Sequence, residues 1–169
     1  MIIVECEKDQ ALMFRLSFTP DQIIHAFHKS DVLGRMESRR KSGQKAIGVI
    51  DEDPQAGQPA CLKEYEEKDS VGSIKLLIRK DDDGRSVICR AIQISPYLED
   101  WLCGIARRLN ISPSKFGLPD HPAKLHRMSL KFRKSNKNMQ NFQRFLDALR
   151  KTRDDEISTL RRWIREALE

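Results

Sequence analysis

Between Ala46 and Ile50 the chain runs Ala-Ile-Gly-Val-Ile without a polar residue, then meets Asp51, Glu52, Asp53 and Pro54. A continuous apolar run this short is what a strand buried on both faces needs; one wet face would demand alternation. Val49 and Ile50 are β-branched and favour extended backbone. Pro54 has no amide hydrogen to donate and stops the strand. A strand buried on both sides requires helices above and below it, which constrains the chain to an α/β fold with a mainly parallel sheet. Acids at the carboxyl end of such a strand stand where open α/β sheets place their ligands. Asp51 and Asp53 are two apart and point the same way in extended backbone. Two like charges so placed suit a hard cation such as Mg²⁺. Taken alone, the Asp-x-Asp pair reads as a solvated acidic turn, because Asp and Pro are turn residues.

The preceding residues supply the partners of that strand. Residues 1–6 read as a first strand, and Lys8–Phe18 permits a helix through Leu12, Met13 and Leu16. Asp21–Phe27 fits a second short strand or the start of a capped helix, and local signals leave both open. Ser30-Asp31 offers an N-cap for a helix carrying Val32, Leu33 and Met36; Arg39, Arg40 and Lys41 lie at its negative end and Gly43 stops it. The order β-α-β-α-β is that of a parallel sheet with right-handed crossovers.

Gln55–Asp69 is polar and reads as an exposed connection. Ser73–Ile78 and Ser86–Ile94 are strand-like and flank Asp81-Asp82-Asp83-Gly84, a hairpin turn. Ser95 caps and Pro96 opens a helix with Leu98, Trp101, Leu102, Ile105 and Leu109 on one face. Asn110–Pro122 reads as a loop. Three helical patterns follow, at roughly Ala123–Arg133, Asn138–Lys151 and Asp154–Leu168. Trp101 and Trp163 sit on apolar stripes and read as core.

With 169 residues, residues 1–119 are expected to form the α/β domain, and residues 120–169 a helical segment packed on it. Charge divides along the same line. Residues 1–119 carry 18 Lys and Arg against 18 Asp and Glu, whereas residues 120–169 carry 13 against 7, the whole net charge of +6. A basic segment beside a neutral body suggests an anionic partner, nucleic acid first, against the plainer reading of a solubilising surface. No apolar run approaches the ~20 residues that span a bilayer, so no membrane partner is expected. The N-terminus has neither basic leader nor cleavage site. Cys6, Cys61, Cys89 and Cys103 form no Cys-x-x-Cys pair, which argues against structural zinc and for a cytoplasmic, reducing setting.

Three short motifs lie in order: Val4-Glu5-Cys6 after the first strand, His28-Lys29-Ser30 after the second, and Asp51-Glu52-Asp53 after the third. Together they resemble the Toprim domain family, in particular its small nuclease-type members of the overcoming-lysogenization-defect kind. The family pattern is a Glu, usually followed by Gly, and then an Asp-x-Asp. Glu5, Asp51 and Asp53 match those acids, with Glu7 the rival to Glu5. His28-Lys29-Ser30 resembles the family's Gly-Lys-Ser turn, which favours Asp21–Phe27 as a strand. Pro96–Leu102 is similar to a helix that carries a further acid, Glu99. Cys6 stands where the family has Gly, and His28 replaces another. Residues 1 to about 55 carry the resemblance. It implies a Toprim-like (Rossmann-like), mainly parallel sheet flanked by helices, with a C-terminal helical segment.

The resemblance also implies a Mg²⁺-dependent (or Mn²⁺-dependent) nuclease of bacterial defence or repair, acting on DNA ahead of RNA, with an ATPase as a further partner. Phosphodiester hydrolysis needs an activated water and relief of negative charge, which paired cations held by carboxylates provide. Glu5, Asp51 and Asp53 are then catalytic and metal-binding. Asp9 and Glu99 are further ligands or, on the plainer reading, carboxylates in the first turns of helices. Lys124, Lys131, Arg133, Lys134 and Lys137 would meet phosphates or serve as surface lysines and arginine. If about five such cations met phosphates, duplex binding would show a log–log salt slope of roughly −4 to −5. The alternative is a Toprim-like module that binds nucleic acid or protein without turnover, motivated by Cys6. Nucleotidyl transfer, a third reading, lacks a zinc-binding Cys set, and neither Tyr65 nor Tyr97 stands in the context of a topoisomerase tyrosine.

Overall fold

A computed structural model describes residues 1–79, 89–132 and 136–169. Its elements are β1 (Ile2–Val4), α1 (Glu7–Arg15), β2 (Ile23–His25), α2 (Lys29–Lys41), β3 (Ile47–Asp51), β4 (Tyr65–Val71), β5 (Ile74–Arg79), β6 (Arg90–Ile94), α3 (Leu98–Arg108), α4 (Pro122–Ser129), α5 (Lys137–Arg150) and α6 (Asp155–Leu168). The apolar run is the strand it resembles: Ile47 to Ile50 are buried and only Asp51 reaches the edge. The fold is α/β. Six strands form one mixed sheet in the order β2-β1-β3-β6-β5-β4. β2, β1, β3 and β6 run parallel, and β5 and β4 are added antiparallel at one side.

The two faces of the sheet bury different partners. Ile3, Ile50 and Ala91 face α2 through Val32, Leu33 and Met36. Gly48 permits that approach, since a Cβ there would collide with Met36 Sδ and Val32 Cγ1. Ile2, Val4, Ile47, Val49, Ile92 and Ile94 face α1, α3, α5 and α6, whose Phe142, Phe145, Trp101 and Trp163 complete one continuous core. The C-terminal helices therefore share the hydrophobic core of the sheet. Among the described residues no helix is long and apolar enough to cross a membrane.

Helix ends depart from expectation at two places. α2 is capped by His28, whose Nδ1 accepts from the Asp31 amide, and not by Ser30; the Ser30 hydroxyl instead bonds to the same imidazole nitrogen. Its other end closes as foreseen. Gly43, at φ +68°, donates to Arg40 O while Gln44 donates to Arg39 O, the paired bonds of a left-handed helix stop. α3 starts at Leu98 with Tyr97 at its N-cap, two residues later than a Ser95 cap requires. The intervening backbone is engaged with the sheet: Ser95 donates to Ser73 O, and Pro96 O accepts from the Asp53 amide.

One further expectation needs correction, and one open choice is resolved. The connection at Gln55–Asp69 contains the first five residues of β4, whose interior is solvent-exposed. This edge strand is charged on both faces, so no hydrophobic period marks it. The open choice at Asp21–Phe27 resolves as a 3₁₀ turn, Pro20–Gln22, running straight into β2. β5 and β6 pair antiparallel as a hairpin would, and the triple-Asp turn between them lies outside the described residues.

Candidate functional site

β1 and β3 are parallel neighbours, with Val4 beside Val49. Their carboxyl ends bring Glu5 and Asp51 to one rim of the sheet. The Glu5 carboxylate accepts from the Asp51 amide at 2.9 Å, across 46 residues of chain. Burial pushes the Glu5 carboxyl up to about 7; Asp9 and Asp53 repel it further, while the Asp51 amide and Lys29 partly offset the rise. Asp51 is likewise held well above the ordinary carboxylate range. Burial is the main cause, and the charges of Asp9, Glu5 and Glu99 add to it against Lys8. No donor among the described residues engages the Asp51 side chain.

Asp53 stands beside this pair in a different way. β3 ends at Asp51, and Asp53 adopts a left-handed φ of +45°. The extended backbone that would align the two aspartates is therefore lost. The amides of Glu52 and Asp53 have turned to Ile94 O and Pro96 O, which ties the acidic turn to β6. The Asp53 carboxylate accepts from the Tyr97 hydroxyl at 3.0 Å. That bond, with the charges of Asp53, Asp100 and Asp51 nearby, holds the phenol proton more tightly.

Asp9 and Glu99 reach the same neighbourhood with other partners already in place. Asp9 closes the start of α1, accepting from the Cys6 amide at 3.0 Å and the Cys6 thiol at 3.1 Å. Burial raises its pKa against the help of Cys6 and Lys8. The Cys6 thiol is itself pushed far up by burial and by Asp9. Glu99 is wholly buried. Its Oε1 accepts from Lys8 Nζ at 2.6 Å and from Ser129 Oγ, and its Oε2 lies 3.1 Å from His126 Nδ1. Burial opposes the charge on Glu99, yet Lys8, Ser129 and His126 outweigh it and its pKa falls. Lys8 shows the mirror effect: burial disfavours its charge, but Glu99 prevails and keeps it an ammonium. Glu99 is thus the counter-ion of Lys8.

Lys8, Lys29 and Tyr97 also stand at this rim, although the sequence alone assigns none of them a role there. Lys8 and Lys29 both sit in the first turn of a helix, where the helix dipole repels a cation. That mismatch was a legible sign that something else holds them. Lys29, nearly buried, donates to Glu52 O at 2.7 Å and to Gln58 Oε1 at 2.9 Å. Tyr97 carried no local sign, because its partner Asp53 is 44 residues away. Glu7, the rival to Glu5, has a buried Oε2 without a hydrogen-bond partner among the described residues. Of the basic residues, Lys124, Lys131 and Lys137 are exposed, while Arg133 and Lys134 lie outside the described residues.

The donor chemistry fits a hard divalent cation: carboxylates at the ends of two adjacent strands, a third beside them, and both neighbouring ammonium groups committed elsewhere. Among the described residues no three His, Cys, Asp or Glu side chains form a ready-made cage. No family model, curated protein or solved structure matches the chain.

Proposed function

We propose that this chain is a Mg²⁺-dependent (or Mn²⁺-dependent) nuclease of Toprim type that hydrolyses phosphodiester bonds, in DNA ahead of RNA. The observation that carries the reading is the meeting of Glu5 and Asp51 at the carboxyl ends of adjacent parallel strands, with their charges under-compensated. That rim is where open α/β sheets bind ligands. The parallel order β2-β1-β3-β6 supports the finer likeness to Toprim domains that the three motifs suggested.

Glu5, Asp51 and Asp53 would hold the metal. When bound, it would supply Lewis-acid relief of phosphate charge and an activated water. The chain's own residues then have distinct tasks. Tyr97 fixes the Asp53 carboxylate through its hydroxyl. Lys29 fixes the acidic turn through Glu52 O. Lys8 keeps Glu99 from adding a further uncompensated charge. The basic face of α4 and the start of α5 would receive the phosphates flanking the scissile bond.

The test is cleavage of plasmid DNA and of an RNA oligonucleotide with Mg²⁺, with Mn²⁺ and with EDTA. Metal-dependent cleavage lost in Asp51→Asn supports the assignment; equal cleavage by wild type and variant overturns it. One observation favours the second reading, a binding module without turnover: the Cys6 thiol and amide occupy a carboxylate oxygen of Asp9. Calorimetry that detects oligonucleotide binding but no Mg²⁺ or Mn²⁺ binding would decide for it.

A further inference from the structure

Two large apolar side chains stand out in solvent among the described residues: Phe27 is 78% exposed and Leu130 63%. They lie about a hundred residues apart in the chain, Phe27 between β2 and α2 and Leu130 just after α4. Yet both line one cleft of about 430 Å³, together with Glu5, Lys8, Ser129 and Phe132. Glu5 is thus shared between the acidic rim and this cleft. The Phe27 ring has the His25 imidazole beside it, 5.6 Å between centroids and tilted by 49°. Exposed Arg127 and Lys131 flank Leu130 along the chain.

The combination is selective. A cleft of this volume is of small-ligand size and suits one nucleotide. Its apolar contacts are the exposed Phe27 ring, the buried Phe132 ring and the Leu130 side chain; its walls carry Glu5 and Glu7 with Lys8, and the exposed cations Arg127 and Lys131 lie beside Leu130 in the chain. An unpaired nucleotide offers the complement, a planar π-face joined to a phosphate. A base inside a duplex does not, because both of its faces are covered by the stack and only its edges are open.

We propose that the cleft seats one unpaired nucleobase, stacked on Phe27 and packed against Leu130, so that the chain selects single-stranded over duplex nucleic acid. This names a substrate class and rests on the nuclease reading only for the position of the phosphate beside Glu5. The stacked base sets which strand enters, and the cations along α4 hold the backbone on either side of it.

The test measures binding apart from cleavage. The full chain in EDTA is titrated against a dye-labelled single-stranded 12-mer and a hairpin duplex, with anisotropy as readout. Wild type is expected to bind the single strand more tightly than the duplex. Phe27→Ala should weaken single-strand binding by roughly five-fold to a hundred-fold and leave duplex binding unchanged. Phe27→Trp should restore the preference and add a tryptophan signal quenched by the single strand alone. Because Phe27 is exposed, circular dichroism of both variants should match wild type. Equal single-strand affinity of Phe27→Ala and wild type overturns the proposal, as does equal weakening on both probes. Capture of an apolar peptide in place of either probe also overturns it. A chain that prefers single strands through Phe27 but never cleaves keeps the base seat and loses the nuclease. Cleavage indifferent to Phe27 and to strandedness does the reverse.

Discussion

Glu156 and Asp51 are both acids at the carboxyl rim of the same sheet, and the fold treats them oppositely. Glu156, in the first turn of α6, is 4% exposed. Its carboxylate accepts from the Ser73 amide at 2.8 Å, from the Trp101 indole at 2.9 Å and from the Arg108 guanidinium. Gly72 leaves room for it, since a Cβ there would strike the carboxylate, and its φ of +56° lies in the left-handed region that favours glycine. Asp51 has no such shell among the described residues: burial raises its pKa, three neighbouring acids add to the rise, and Lys8, which opposes it, is spoken for by Glu99. A carboxylate ringed by donors is part of the scaffold; one left facing other carboxylates is held ready for a ligand.

The contrast predicts a double dissociation. Asp51→Asn should lower metal-dependent cleavage by more than ~100-fold, beyond what loss of an outer-shell partner costs a metal site. The same change removes a charge that its neighbours repel, so thermal unfolding of the metal-free variant should occur at or above the wild-type temperature. Activity retained, or a large drop in melting temperature, would place Asp51 with Glu156 in the scaffold and erase the difference between them.

Glu156→Ala should behave the other way. It strands a buried amide, an indole N–H and one side of a guanidinium, at about 3 kcal/mol of stability. Urea denaturation measures the loss, and metal affinity by calorimetry should be unchanged at a temperature where the variant stays folded. A loss below about 0.5 kcal/mol would mean that water or other acceptors satisfy those donors.

The sequence revealed these two acids unequally, for physical reasons. Glu5 and Asp51 were legible because each closes an apolar strand, and strand ends are local events. The partnering of Glu156 was not, since Ser73 lies 83 residues from it and Trp101 55. Trp101 read as core, and it is buried, but its indole nitrogen also serves a carboxylate. Glu99 had two readings in the sequence, and only the fold, by bringing Lys8 across 91 residues, shows which cation it neutralises. β3 followed from its unbroken apolar run and α6 from its helical apolar stripe, both local signals. β4 did not, because an edge strand solvated on both faces carries no period to read.

A third test uses pH. The unfolded Glu5 titrates near 4.5 and the folded one near 7. Between those values the folded chain binds a proton that the unfolded chain has released, so this group's contribution to stability is full below 4.5 and falls as pH rises through 7. Metal-free wild type should therefore lose roughly 1–3 kcal/mol from this source between pH 5 and pH 8, and Glu5→Gln should flatten the slope. Excess Mg²⁺ should flatten it too, by supplying the missing counter-charge. A slope identical in wild type and Glu5→Gln would show that Glu5 is as well compensated as Glu156.

The smallest expected effect concerns the outer surface that serves the open acid and not the closed one. Lys124 and Lys131 are exposed on and just after α4, the helix whose Ser129 and His126 hold Glu99 beside the rim. If each meets a phosphate, Lys124→Gln and Lys131→Gln should each flatten the log–log salt slope of single-strand binding by about 0.7. Arg162, on α6, should not change it, because it is paired with Glu166 at 3.1 Å on a face that does not line the cleft. The measurement is a salt titration of the three variants in EDTA. Equal slopes for all three would mean that α4 is basic for solubility, and the anionic partner would have to approach the acidic rim without its help.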